Sequence, residues 1–82
     1  MHELGILHQV MKSVEKTARE NNIKKVTHIT LEVGTESGCV LHFLNKLFPV
    51  AVDNFPSLGK PELKIETVPG KVLQIKDFGY EK

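Results

Sequence analysis

Leu4, Leu7, Met11, Val14 and Ala18 return at three- and four-residue intervals, with Val10 widening the stripe. That spacing predicts one face of an α-helix from about residue 3 to about residue 20. Lys12, Glu15, Lys16, Arg19 and Glu20 fill the other side. Asn21-Asn22 tolerate a left-handed turn, so the helix is expected to stop there. Gly5 falls in the first turn, where its cost is modest.

The period then changes to two. Over residues 25 to 33, Thr27, Ile29, Leu31 and Val33 share one face of a strand, and Val26, His28, Thr30 and Glu32 share a more solvated one. Gly34 through Gly38 reads as a turn-rich loop. A second helix is expected from Cys39 or Val40 to Phe48, presenting Val40, Leu44, Leu47 and Phe48, with Pro49 ending or kinking it. Asn54 to Pro61 reads as a loop, and residues 62–68 and 71–78 as two further strands. Pro69-Gly70 between them is a common turn pair. The expected fold is α+β, a single small domain with two helices packed on a three-stranded sheet in the order α-β-α-β-β.

Composition narrows the class. Eighty-two residues suffice for one small domain. Eleven basic against ten acidic residues leave a net charge of +1, which gives no electrostatic case for nucleic acid or an anionic membrane. No apolar run of about 18 residues or secretory signal is visible, so a cytoplasmic protein without membrane attachment is expected. Cys39 is the only cysteine, which rules out an intrachain disulfide. No nucleophile-elbow context surrounds Ser13, Ser37 or Ser57, and no Gly-x-x-x-x-Gly-Lys phosphate loop occurs, so an enzyme is not expected.

The chemistry that stands out is at the start of the chain, Met1-His2-Glu3. A histidine at position 2 of a free chain offers a metal three nitrogens in a row: the terminal amine, its own backbone amide and its imidazole. Tetragonal nitrogen sites of that kind suit Ni(II) or Cu(II) better than Zn(II). On spacing alone, an incidental His2 reads at least as well.

The rest of the chain tips that balance. Met1-His2-Glu3-Leu4, the segment from Lys25-Val26 to Gly34, Ser37-Gly38, Leu44 and Phe48, and Glu62-Leu63-Lys64-Ile65-Glu66-Thr67-Val68-Pro69 stand in the order seen in the HypA/HybF family, which this chain resembles. That family comprises nickel-binding accessory proteins for nickel–iron hydrogenases and, in some organisms, urease. The resemblance implies Ni(II) held at Met1, His2 and Glu3. His2 would supply an imidazole and a backbone nitrogen, and Met1 its amine. Glu3 would supply its amide, or a carboxylate that tunes or orients the site; an acidic first-turn residue that complements the helix dipole is the competing description. The partners implied are a nickel-handling GTPase and a hydrogenase large subunit.

HypA-like proteins usually carry a zinc lobe with two Cys-x-x-Cys pairs after the strand that ends near Val68-Pro69. Neither pair is present, while Gly70 to Lys76 resembles the family's final strand. Residues 1–82 are therefore expected to be one nickel-binding domain with the zinc lobe deleted near 69–70, and no structural zinc is expected. A two-residue hairpin loop prefers positive φ at its first position, which proline cannot adopt. Either a bulge relieves the join, or the final strand pairs with another copy in a strand-exchanged homodimer over residues 71 to 80.

The remaining histidines have no ligand partner at useful spacing. His8 reads as a partly exposed helix residue, and His28 and His42 as structural or solvent-facing. Cys39 reads as a small buried hydrophobe, with a low-pKa thiol at a helix head as the alternative. The leading expectation is a metallochaperone-like protein that holds Ni(II) for insertion into a nickel enzyme. The alternative is an assembly module of the same ancestry that no longer binds metal.

Overall fold

In the computed structural model, which describes residues 2–82, the apolar stripe at the start of the chain forms helix α1, Glu3–Glu20. Leu7, Val10, Met11, Val14 and Ala18 are buried on its inner face. The helix ends as the paired asparagines predict. Asn22 adopts a left-handed φ of 57°, and the Ile23 amide donates back to the Ala18 carbonyl at 2.9 Å. That is a Schellman closure, and it tucks Ile23 against the core.

Strand β1, Lys25–Gly34, runs through the middle of a three-stranded sheet of order β2-β1-β3. Strand β2, Glu62–Val68, lies parallel to it, with His28 opposite Glu62 and Gly34 opposite Val68. Strand β3, Leu73–Glu81, lies antiparallel on the other side, with Val33 opposite Leu73 and Lys25 opposite Glu81. Ile29, Leu31 and Val33 point to the helices and are buried. The reading of Val26 as solvated is corrected: it is fully buried. A register shift between Val26 and His28 inserts Thr27 as an extra residue and reverses the alternation before it. The opposite sheet face is polar, with Gln74 donating to Glu32 and Lys76 3.0 Å from both oxygens of Glu66. The Glu66 carboxylate raises the Lys76 pKa.

Helix α2, Leu41–Asp53, runs past Pro49, which corrects the expectation that the helix ends there. Proline removes one helical donor, and the carbonyl it would have served is that of Asn45. Both residues lie on the exposed side, where water can take that acceptor, while Phe48, Ala51 and Val52 are buried and hold the last turn on the core. Pro49→Ala should restore the ladder and stabilise the protein by about 2 kcal/mol, read from the urea midpoint. A smaller gain is expected at Gly5, where an added Cβ meets only the His2 Cβ, at 3.9 Å. Gly5→Ala should stabilise by roughly 0.5 kcal/mol.

The second and third strands are not neighbours, so the join near 69–70 is not a hairpin. Residues 69–72 cross the end of β1 and deliver β3 to its far side. Three successive amides at the end of β1 receive the crossing: Gly34 donates to Val72 at 2.6 Å, Thr35 to Val68 at 2.8 Å and Glu36 to Gly70 at 2.8 Å. Gly70 supplies a φ of 91°. Because the crossing consumes Lys71 and Val72, β3 begins at Leu73 and extends to Glu81, later than the expected 71–78. It pairs within its own chain along nearly its whole length. The turn argument for a strand-exchanged homodimer therefore has no counterpart in this fold.

Candidate metal centre

His2 is the N-cap residue of α1, with φ −92° and ψ 83°, and it is exposed. The helical ladder begins at its carbonyl, which accepts the Ile6 amide at 3.1 Å. The amides of residues 2 and 3 precede that ladder and have no helical acceptor. An exposed imidazole beside backbone nitrogens outside the helical bonding pattern is the donor chemistry that a planar nickel site needs. Met1, the third member of the expected site, lies outside the described residues.

Glu3 behaves differently from its neighbour. It is 6% exposed, one of only two polar or charged residues buried among those described. Its Oε2 accepts the backbone amide of Val40 at 3.0 Å, across 37 positions of the chain. Val40 is the N-cap of α2 and has no cap from its own neighbourhood. The Val40 amide, followed by the amide of Glu3 itself, holds the Glu3 carboxyl below the usual glutamate range. The carboxylate therefore ties the head of α1 to the head of α2. Nothing in the local spacing of Glu3 announces this, since the partner is a backbone group on a distant loop.

The other histidines have contacts of their own. His8 Nε2 is 3.1 Å from the Asn54 side-chain amide, and its ring lies against Phe55 with centroids 6.2 Å apart. His28 sits at the β1 bulge, with Nδ1 3.3 Å from Thr27 Oγ1 and Nε2 3.9 Å from Asp77. His42 is exposed on α2 beside Phe43. Cys39 is half-buried against the core two residues ahead of α2. Among the described residues, no three His, Cys, Asp or Glu side chains gather as a metal cage. What the described part of the N-terminus offers a metal is one imidazole and backbone nitrogens.

No helix among the described residues is long and apolar enough to cross a membrane.

Comparison with known proteins agrees with this picture. The family model that matches, over residues 1–73, is HypA, described as hydrogenase/urease nickel incorporation, metallochaperone. The chain is 40% identical over 48 residues to the hydrogenase maturation factor HypA of Aquifex aeolicus, covering 58% of this chain and 42% of the relative. It is 33% identical over 73 residues to that of Chloroflexus aggregans, covering 89% of this chain and 63% of the relative. With that of Psychromonas ingrahamii it shares 39% identity over 66 residues, 80% of this chain and 57% of the relative. The chain thus spans between 42% and 63% of the length of these relatives. With the match running from Met1 through the crossing that leads into β3, the chain belongs to the HypA family of nickel-incorporation metallochaperones.

Proposed function

We propose that the chain holds Ni(II) at Met1-His2-Glu3 and releases it for insertion into a nickel enzyme such as a nickel–iron hydrogenase. The observation that carries this reading is the exposed His2 at the head of α1, its amide ahead of the helical ladder, in a chain of the HypA family. The terminal amine, the His2 amide and the His2 imidazole form fused chelate rings around one face of the ion. Glu3 contributes through its backbone, because its carboxylate is committed to Val40. A site at the tip of a helix leaves the metal open on its outer side, which suits transfer to an acceptor.

The family is one of maturation factors rather than enzymes, which agrees with the lack of a catalytic arrangement in the sequence. Residues 1–82 are read as one nickel-binding domain with a zinc lobe deleted near 69–70, and with one cysteine they hold no four-thiolate zinc site. The proposed setting is the cytoplasm, and the proposed partners are a nickel-handling GTPase and a hydrogenase large subunit. Family membership favours this reading over a metal-free assembly module.

The test is a Ni(II) titration of protein with its native N-terminus, followed by visible absorption. A yellow, diamagnetic 1:1 complex is expected, and one residue added before Met1 should abolish it. Weak binding indifferent to that extension would leave Met1-His2-Glu3 as ancestry alone and favour the assembly module.

A further inference from the structure

We infer that the Glu3 carboxylate is a positioning group for the nickel site and not a ligand: by holding the Val40 amide, it fixes the mount from which Met1 and His2 reach the metal. The inference rests on the proposed nickel site. Its structural half stands on the contact between Glu3 Oε2 and the Val40 amide at 3.0 Å.

Two observations give this contact its weight. The first concerns the head of α2. From Thr35 to Phe43 no residue is fully buried, and Val40, Leu41 and Phe43 are exposed apolar side chains. Within this segment only the half-buried Cys39 packs against the core, until Leu44, which is completely enclosed. A charge-assisted bond from a buried carboxylate is a strong tie for it. The second concerns the head of α1. His2 is exposed and Gly5 has no side chain, so the first turn is held by Glu3 together with the half-buried Leu4. Swinging the Glu3 carboxylate out to a metal would leave the Val40 amide unpaired at a partly buried site and release both helix heads at once. Keeping it in place preserves the Val40 bond and holds the backbone of residue 3 still while the nitrogens ahead of it bind.

Glutamine separates positioning from ligation, because its amide oxygen still accepts the Val40 N–H but makes a poor metal ligand. Three variants, Glu3→Gln, Glu3→Ala and His2→Ala, are compared with the native chain by Ni(II) titration. Hydrogen exchange of the Val40 amide and the thermal midpoint are measured in parallel. Glu3→Ala should lose Val40 protection and weaken nickel binding about 10–100-fold, as loss of an outer-shell partner does. Glu3→Gln should keep the protection and most of the affinity. Equal loss of affinity in both Glu3 variants, with Val40 protection kept in Glu3→Gln, would make the carboxylate a ligand and overturn the inference. Native affinity in Glu3→Ala would overturn it as well. If the native chain shows no binding that His2→Ala removes, the proposed function itself fails and this inference with it. If His2 dependence holds and only the Glu3 pattern fails, the nickel reading survives alone.

Discussion

Replacing His2 with alanine should eliminate the 1:1 Ni(II) complex while leaving stability within about 0.5 kcal/mol of the native chain. His2 is exposed, and its carbonyl, the group the helix uses, is unaltered by the change. The imidazole is a direct donor in the proposed site, so its removal should cost more than the roughly 10–100-fold that follows loss of an outer-shell partner. Binding must also displace protons from the terminal amine and the His2 amide, so apparent affinity should climb as pH rises. His8→Ala, His28→Ala and His42→Ala supply the controls, since each of these rings has contacts of its own, with Asn54 and Phe55, Thr27, and Phe43 respectively. Calorimetric titration of the four variants settles the matter. Nickel binding that survives His2→Ala but falls in one of the others would relocate the metal.

The second large effect is expected at Gly34, which carries the chain crossing. A Cβ there would land on the carbonyl oxygen of Gly70 and the amide of Val72, both backbone atoms. Neither can turn aside as a flexible side chain can. Relief requires the 69–72 segment to lift, which breaks the bonds from Gly34 to Val72 and from Glu36 to Gly70. Gly34→Ala should therefore destabilise by roughly 3–5 kcal/mol, at the upper end for a point substitution. For an 82-residue domain at about 0.05–0.15 kcal/mol per residue, that is a large share of the total stability. Gly70→Ala is the instructive comparison. A Cβ at Gly70 meets nothing within 4 Å, so only its positive φ is strained, at about 1–2 kcal/mol. Urea denaturation of both variants, with Gly70→Ala clearly the milder, is the expected result. Equal losses would mean that the crossing is not tightly seated on β1.

The limits of α1 were legible because a 3.6-residue apolar period and an Asn-Asn stop are local signals, and β2 was legible for the same reason. The metal chemistry proposed for Met1-His2-Glu3 rests on the family resemblance, because the spacing of these residues alone suits an incidental His2 at least as well. Pro49 misled because a proline's cost in a helix depends on which side its orphaned carbonyl faces. Here it faces water, and Ala51 and Val52 bury beyond it. Val26 misled because one extra residue at the β1 bulge reverses the alternation, and a bulge belongs to a pair of strands rather than to one.

Local pattern in the chain therefore carries the identity of the helices and strands and most of the apolar faces that must be covered. The tertiary structure alone decided that β1 lies between β2 and β3, that the 69–72 link crosses over Gly34, and that Glu3 spends its carboxylate on Val40. Each joins a backbone group to a partner far away in the chain. Every residue but proline offers the same N–H and C=O, so such pairings leave no mark in residue type or spacing, and only the folded geometry selects among them.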